Sequence, residues 1–247
     1  MTIVLVHGNP ETAAIWDEMR KYLGTDDVIA LSPPGFGAPV PDDFGATSDD
    51  YRDWLAAEIQ QIAGPIDLVG HDWGGGHVAR IAMDRPELIR SWTMDIAGCF
   101  DPEYVWHDAA QAWQTPDVGE AAVAGMAAAP PEARTAQFES LGMTKAAAAN
   151  VAGAVNAEMG RCILALYRSA AQPRMSEWGK SFDTARAKPG HVIIATEDHY
   201  TGGETLARRA AERAGAQITV LPGLGHWWMC QDPKRGAEAL TSFFSTL

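Results

Sequence analysis

The sequence has little positive charge. Its 247 residues include 19 Lys and Arg against 32 Asp and Glu, which gives a formal net charge of −13. No cluster of basic residues offsets this excess, whereas nucleic acids and anionic lipid surfaces are bound by clustered cations. We therefore expect neither a nucleic acid nor a membrane as a partner.

Cysteines and long apolar runs are also scarce. The three cysteines, Cys99, Cys162 and Cys230, are odd in number and widely spaced, which fits neither a disulfide framework nor a zinc site. We expect them to be buried as small apolar residues. No apolar run reaches the roughly 18 residues of a membrane-spanning helix, and residues 1–13 lack the pattern of a signal peptide. The sequence therefore predicts a cytoplasmic protein. It also predicts no metal site, because no pair of its histidines has metal-ligand spacing on one helix.

Short runs of β-branched and apolar residues alternate with helical stretches along the chain. The predicted strands are 2–6, 27–31, 66–70, 91–97, 191–196 and 217–221. The predicted helices are 12–23, 48–62, 75–84, 203–214 and 233–246. Alternation of this kind indicates βαβ units and a parallel sheet with helices on both faces. The expected fold class is α/β, with a sheet of about six strands.

Strand patterns are absent between residues 100 and 186, where the sequence is helical and rich in alanine. Five apolar residues at helical spacing predict one ordered amphipathic helix there: Val151, Val155, Met159, Ile163 and Leu166. An insertion of this length predicts a short helical cap over the carboxyl edge of the sheet, where open α/β sheets bind ligands. Residues 1–99 and 187–247 would then form the core domain, and 100–186 the cap.

The segment GHDWGG, residues 70–75, lies between a predicted buried strand and an amphipathic helix. Turns of the form Gly-x-nucleophile-x-Gly hold their central side chain above the edge of the sheet in a strained backbone conformation. The central residue here is Asp72. Its alternative role is as the N-cap of the following helix. A cap does not need glycines on both sides, so we interpret Asp72 as a nucleophile.

Two further segments supply candidate catalytic groups. HGNPE, residues 7–11, forms a turn at the end of the first strand. This turn can direct the backbone N–H of Asn9 toward the same point as the backbone N–H of Trp73, and two converging N–H groups form an oxyanion hole. PGLGHWW, residues 222–228, follows the last strand and carries His226 on a loop between glycines and tryptophans. His226 therefore has the position of the histidine in the chain order nucleophile, acid, histidine.

Three carboxylates are candidates for the acid that would orient His226. Asp198 is favoured because it is the fourth residue of a small-x-x-Asp turn after the fifth predicted strand. Asp95, at the end of the preceding strand, is the main competitor, and Glu197 is the third candidate.

HGNP, GHDWGG and GLGHWW, in this order, resemble the α/β-hydrolase superfamily, and specifically its aspartate-nucleophile branch of epoxide hydrolases and hydrolytic dehalogenases. The resemblance extends over nearly the whole chain outside the cap. It implies that Asp72 attacks an sp³ carbon and forms an alkyl ester, which water activated by His226 then hydrolyses. It implies no cofactor, a small-molecule substrate and water as the second substrate. The oligomeric state stays open between monomer and homodimer.

The leaving group distinguishes the two activities. The resemblance gives Tyr167 the position of a cap tyrosine that protonates an epoxide oxygen, with Trp113 or Tyr104 as the second cap donor. A halide would instead be held by Asn9 and Trp73, with help from Trp113. We therefore expect an epoxide hydrolase for a small apolar epoxide, with a haloalkane dehalogenase as the alternative.

Other activities are weaker alternatives. Dehalogenases of fluorinated acids carry an Arg just after the nucleophile to hold the substrate carboxylate, and this chain has Trp73 there. An ester hydrolase would form an unproductive anhydride on Asp72. A non-catalytic small-molecule-binding relative would not need the complete set of candidate groups. Several apolar and aromatic residues in the cap region predict a mainly apolar pocket: Phe100, Trp106, Trp113 and Met126.

Overall fold

Six parallel strands form a single sheet in the computed structural model, which describes all 247 residues. The strands are β1 (Thr2–Val6), β2 (Val28–Leu31), β3 (Ile66–Gly70), β4 (Ser91–Met94), β5 (Gly190–Ala195) and β6 (Gln217–Leu221). Their order in the sheet is β2-β1-β3-β4-β5-β6, and every neighbouring pair is parallel. The predicted α/β class and the predicted number of strands are confirmed.

The central strands are buried along their whole length. Every residue of β1, β3, β4 and β5 is buried, which is why these strands appear in the sequence as nearly continuous apolar runs. In the register between β1 and β3, Val6 lies opposite Gly70, so both strands end at the same level. The residues that follow these two strands, in HGNPE and GHDWGG, are thereby brought together at the carboxyl edge of the sheet.

Helices surround the sheet and fill the long segment between β4 and β5. The α-helices are α1 (Asp17–Arg20), α2 (Ser48–Gln60), α3 (Trp73–Asp84), α4 (Asp108–Gln114), α5 (Val118–Ala128), α6 (Pro131–Ser140), α7 (Lys145–Ala154), α8 (Ala157–Ser169), α9 (Arg174–Lys180), α10 (Gly203–Ala214), α11 (Trp228–Gln231) and α12 (Pro233–Phe244). Short 3₁₀ helices occupy Ala13–Trp16, Pro86–Leu88, Ala97–Phe100 and Phe182–Ala187. No helix combines the length and the apolar character needed to cross a membrane.

The predicted helices of the sheet region agree with the structure to within a few residues, with one exception. The segment predicted as a helix over 12–23 is a 3₁₀ turn followed by the single turn of α1. The last helix begins at the predicted Asp-Pro pair, where the Asp232 carboxylate accepts the N–H of Arg235 at 3.1 Å.

The prediction of one amphipathic helix in the alanine-rich segment is wrong, because two helices are present. The chain is extended at Asn156, between α7 and α8, and the Asn156 side chain accepts the N–H of Met159 at 2.8 Å. This capping bond starts a new helix within the apolar pattern. All five apolar residues of the pattern are nevertheless buried: Val151, Val155, Met159, Ile163 and Leu166.

The helices α4 to α9 all lie between β4 and β5. We keep the division into a core, 1–99 and 187–247, and a cap, 100–186, as an interpretation of this arrangement. One cluster of 69 buried apolar residues includes side chains of the sheet and of these helices, so the two parts share an apolar core. The three cysteines are free and buried within this core, as predicted.

Candidate active site

The turn between β3 and α3 is very short and depends on glycine. β3 ends at Gly70 and α3 begins at Trp73. A Cβ atom on Gly70 would lie 2.4 Å from the carbonyl oxygen of Gly74, and one on Gly74 would lie 2.2 Å from the carbonyl oxygen of Val6. The glycines therefore allow the helix to start directly against β1 and β3.

Asp72 lies at the point of this turn. Its backbone has φ 49° and ψ −129°, a conformation that costs energy for any residue other than glycine. Its side chain makes no capping hydrogen bond to α3, so the alternative role as an N-cap is wrong. Strain without a capping role indicates that the turn serves to direct the carboxylate away from the helix.

The Asp72 carboxylate is held between two groups. Oδ1 accepts the backbone N–H of Asn9 at 3.0 Å, and Oδ2 lies 3.7 Å from Nε2 of His226. The N–H of Trp73 opens α3 and has no acceptor within the helix. Burial raises the pKa of Asp72 to about 6, although the nearby His226 acts in the opposite direction. The carboxylate is thus ionised at neutral pH but poorly solvated, which favours nucleophilic attack.

His226 joins the site from the loop after β6. Its Nδ1 lies 2.8 Å from Oδ2 of Asp198, and Asp198 also accepts the N–H of Tyr200 at 2.8 Å. Burial alone would lower the pKa of His226, but the charge and hydrogen bond of Asp198 together with the charge of Asp72 outweigh burial, and the pKa is raised. Nδ1 therefore donates to Asp198, while Nε2 faces Asp72.

The other two candidate acids do not contact His226. Glu197 is exposed and accepts a hydrogen bond from the neighbouring Thr196 hydroxyl. Asp95 accepts the N–H of Asp72 at 3.1 Å and also contacts Nδ1 of His71. Asp95 therefore supports the turn that carries Asp72.

A second layer of buried charge, formed by Glu11, His71 and Asp95, lies directly behind Asp72. His71 contacts Asp95 through Nδ1 and Glu11 through Nε2, the latter at 3.0 Å. Burial would lower the pKa of His71, but the two carboxylates outweigh it and raise the pKa well above its usual value. His71 is therefore an imidazolium that donates from both nitrogens.

Indole and backbone N–H groups satisfy the remaining oxygens of this second layer. The loop carrying His226 continues into Trp227, whose indole donates to Glu11, and Trp228, whose indole donates to Asp95 at 2.7 Å. The N–H of Gly8 donates to the other Glu11 oxygen at 2.9 Å. The sequence prediction missed this layer. Its members are visible in the sequence as Glu11 in HGNPE, His71 immediately before Asp72, and the adjacent Trp227 and Trp228.

Three buried residues, Glu11, His71 and His226, lie close together but do not suit a metal ion. Ligand atoms of Glu11, His71 and His226 lie within 4.8 Å of one another. Both nitrogens of His71, however, are engaged as donors, and Nδ1 of His226 is paired with Asp198. An imidazolium has no lone pair to offer a cation.

A cavity of about 460 Å³ opens above Asp72 and His226. Tyr167 and Trp113 lie in its wall with ring centroids 4.8 Å apart. Burial raises the pKa of Tyr167 well above its usual value, and the Asp72 charge raises it further. Trp73 does not line this cavity, but its ring lies edge-on to Tyr167 at 5.4 Å and it lines a smaller pocket beside Asp72.

The two candidates for the second cap donor differ in their surroundings. Tyr104 is outside the main cavity, and its hydroxyl donates to the carbonyl oxygen of Tyr200 at 2.8 Å. Trp113 lines the cavity. Asn9 also lines it, and both polar atoms of its buried side chain lack a protein partner.

Two further cavity residues, His107 and Arg134, were not foreseen from the sequence. His107 caps α4, with its Nδ1 accepting the N–H of Ala110 at 3.3 Å. Burial lowers the pKa of His107 to about 4, so the ring is neutral and carries its proton on Nε2. Nothing in the sequence around either residue separates it from an ordinary helix residue.

A parallel sheet with a strained, glycine-flanked turn after its third strand defines the class of protein. The chain belongs to the α/β-hydrolase family, whose model matches residues 3–239. The expected superfamily is therefore confirmed.

Among the curated relatives, two that match part of the chain are both hydrolases by name. Epoxide hydrolase 4 of Mus musculus is 34% identical over 94 residues, which are 35% of this chain and 25% of that protein. The (E)-2-((N-methylformamido)methylene)succinate hydrolase of Acinetobacter baylyi is 30% identical over 90 residues, 36% of this chain and 34% of that protein. The chain thus matches about a third or less of the length of these curated relatives.

A solved structure matches almost the whole chain. A loop variant of a haloalkane dehalogenase from Bradyrhizobium elkanii superimposes with a TM-score of 0.77 at 17% identity, covering 99% of this chain and 89% of that one. At this identity the similarity shows the fold alone.

Proposed function

We propose that this protein hydrolyses a small epoxide to a diol through an ester of Asp72. The observation that carries the proposal is the arrangement around Asp72: a carboxylate on a strained turn, an imidazole 3.7 Å from it, and a phenol in the wall of the same cavity. A carboxylate nucleophile is useful where the electrophile is an sp³ carbon, because the resulting ester can be hydrolysed.

In the first step the free oxygen of Asp72 attacks a carbon of the epoxide. A C–O bond to Asp72 forms, the ring C–O bond breaks, and the ring oxygen takes up the proton of Tyr167. The Asp72 charge that raises the pKa of Tyr167 disappears as the ester forms. Tyr167 therefore becomes a stronger acid at the moment when the developing alkoxide needs a proton. Trp113, beside it, can donate a hydrogen bond but not a proton.

In the second step His226 acts as the base. Nε2 removes a proton from water, which attacks the ester carbonyl of Asp72, and Asp198 stabilises the resulting imidazolium. The N–H groups of Asn9 and Trp73 are the oxyanion-hole donors for the tetrahedral intermediate, and the Asn9 N–H already contacts Oδ1 of Asp72 at 3.0 Å. Collapse of this intermediate breaks the ester C–O bond, and the departing alkoxide takes the proton from His226 to give the diol. The proton left on the Asp72 carboxyl group returns to Tyr167, which restores both the carboxylate and the phenol.

A haloalkane dehalogenase is the second candidate. It is favoured by the side chain of Asn9, which presents an unpartnered amide N–H₂ group near Asp72 and could bind a departing halide.

A paired turnover assay separates the two candidates. Styrene oxide and 1-bromobutane are supplied in separate reactions, with diol formation and bromide release as the readouts. Diol formation with little bromide release is the expected result. Bromide release without diol formation would establish the second candidate, and no turnover of either substrate would favour a non-catalytic binding protein.

The covalent step has its own test. In a single turnover in ¹⁸O-labelled water, label is expected first in the Asp72 carboxylate, and Asp72→Asn should abolish the reaction. The variant His226→Gln should accumulate the ester, which mass spectrometry of the intact protein detects. Label found only in the diol would refute the ester intermediate.

A further inference from the structure

Arg134 is a buried cation in the wall of the substrate cavity. Only 8% of its surface is exposed, and it lines the same cavity as Asp72 and His226. Its Nη1 donates to the carbonyl oxygen of Ala127 at 2.9 Å and to that of Met126 at 3.5 Å, at the end of α5. One nitrogen of the guanidinium therefore stabilises the cap region.

The opposite edge of the guanidinium has no partner in the protein. Nε is buried without a hydrogen bond, and Nη1 is the only atom of the Arg134 side chain with hydrogen bonds to the protein. Arg134 also has no carboxylate partner, whereas the other buried arginine, Arg80, pairs with Asp84 at 2.9 Å and Asp49 at 3.2 Å. A buried charge without a counterion is costly, which indicates that a ligand supplies one.

The free edge has the geometry that binds a carboxylate. Elsewhere in this protein, Nε and Nη2 act together on one carboxylate: Arg90 holds Asp67 in this way, and Arg209 holds Asp101. A planar guanidinium edge matches the two oxygens of a carboxylate with two parallel hydrogen bonds. The cavity wall around Arg134 is mainly apolar, with Met126, Phe138 and Leu141, so such a pair would be poorly screened by water.

We propose that Nε and Nη2 of Arg134 bind a carboxylate of the substrate, so that the substrate class is a small epoxide bearing a carboxylate away from the reacting carbon. This inference rests on the proposed function for the reaction at Asp72. It also refines the expectation of a mainly apolar pocket, because one wall of the cavity carries a fixed positive charge. The site thereby differs from an Arg placed after the nucleophile, where this chain has Trp73.

The test compares two substrates with the same reacting group. Styrene oxide is neutral, and 4-(oxiran-2-yl)benzoate adds a carboxylate at the far side of the ring. For the wild type, kcat/KM for the carboxylate substrate is expected to exceed that for styrene oxide by about tenfold or more, since a hydrogen-bonded charge contributes on this scale. Equal values for the two substrates would overturn the proposal.

Variants of Arg134 separate binding from a structural role. Arg134→Met should lower kcat/KM for the carboxylate substrate about 10- to 100-fold, mainly through KM, and change the value for styrene oxide by less than about threefold. Arg134→Lys keeps the charge but loses the second hydrogen bond, so its KM should be intermediate. Arg161→Met, which removes a 48% exposed cation on α8, is the matched control and should change neither substrate.

Two outcomes would contradict the proposal. An equal loss for both substrates in Arg134→Met would show that Arg134 acts only by holding the end of α5. If Arg134→Met does not fold, by circular dichroism, Arg134→Lys decides: a KM unchanged for the carboxylate substrate would refute bidentate binding.

A binding measurement distinguishes failure of this inference from failure of the proposed function. Benzoate and benzyl alcohol are titrated against the wild type and Arg134→Met by isothermal titration calorimetry. Benzoate binding that is lost in Arg134→Met, in a protein that turns over no epoxide, would sustain the carboxylate site and refute the epoxide reaction. Epoxide turnover by a protein that binds benzoate no better than benzyl alcohol would refute the carboxylate site and sustain the epoxide reaction.

Discussion

Two of the buried carboxylates near the site, Asp95 and Asp198, should respond differently to the same substitution. Asp198 contacts His226, whereas Asp95 contacts His71 and the backbone of Asp72. We therefore expect Asp95→Asn to reduce mainly stability and Asp198→Asn to reduce mainly turnover. The change from carboxylate to amide is nearly isosteric, so charge and hydrogen bonding are altered without a change of volume.

The magnitude for Asp95→Asn follows from the three N–H groups that its carboxylate accepts, from His71, Asp72 and Trp228. The variant leaves the buried His71 imidazolium with Glu11 as its single counterion. It also places the amide N–H₂ group of the new side chain against one of these three N–H donors. Loss of one partner of a buried ion pair costs about 3–5 kcal/mol. For a chain of this size that corresponds to a fall in Tm of roughly 6–20 °C.

Asp198→Asn should retain most of its stability, because Asp198 lies on a loop and accepts only the N–H groups of His226 and Tyr200. An amide at this position no longer selects the productive tautomer of His226. Substitution of this kind in a nucleophile–histidine–acid site lowers kcat by about 10⁴-fold. The loss is expected in hydrolysis of the Asp72 ester, so the ester should accumulate.

Thermal unfolding followed by circular dichroism, and single-turnover kinetics followed by mass spectrometry of the ester, measure the two effects separately. The reasoning is refuted if Asp95→Asn melts within about 2 °C of the wild type and accumulates ester as Asp198→Asn does. That result would mean that Asp95 orients His226.

Three further predictions concern the nucleophile and the proton donor. A Cβ on Gly8 would lie 2.1 Å from Oδ1 of Asp72, so Gly8→Ala should reduce kcat at least about 100-fold by displacing the carboxylate, whereas Gly153→Ala, in open space on α7, should leave kcat unchanged. Equal kcat values for the two alanine variants would contradict this. Burial raises the pKa of Asp72 to about 6, so this carboxylate becomes protonated at a higher pH than an ordinary aspartate. We therefore expect kcat/KM to fall about tenfold per pH unit below pH 6. A pH profile that stays level down to pH 5 would argue against Asp72 as the nucleophile. Tyr167→Phe should lower the rate of epoxide opening about 10²- to 10⁴-fold, measured by stopped-flow, and leave bromide release from a bromoalkane unchanged; equal effects on both would assign Tyr167 a packing role.

The sheet and the turn at Asp72 were predictable because each follows from local chemistry. Buried parallel strands require apolar runs, and the sharp turn requires glycines at fixed positions, so both leave direct marks in the sequence. The break between α7 and α8 was also marked, by Asn156 as a capping residue, but the apolar pattern continues through it and hides it.

The contacts of Asp95 and Arg134 were not predictable, because they depend on how distant elements pack. Asp95 follows β4 by one residue, and its direction is set by the turn it supports rather than by its own strand. Arg134 lies on a short polar helix, and its Nη1 donates to the carbonyl oxygen of Ala127 at the end of α5. A lone arginine on such a helix is usually solvated, so nothing local distinguishes it.

The second layer behind Asp72 has a consequence for how the protein folds. Its hydrogen bonds join the two ends of the chain: Trp227 and Glu11 are separated by 216 residues, and Trp228 and Asp95 by 133. Contacts between such distant segments form only after large loops have closed, and closing them costs entropy. The sheet can therefore begin to assemble from local βαβ units, but the charges behind Asp72 remain unpaired until the loop after β6 arrives. Completion of the active site and completion of folding should consequently be a single late event, observable as simultaneous recovery of tryptophan fluorescence and turnover during refolding.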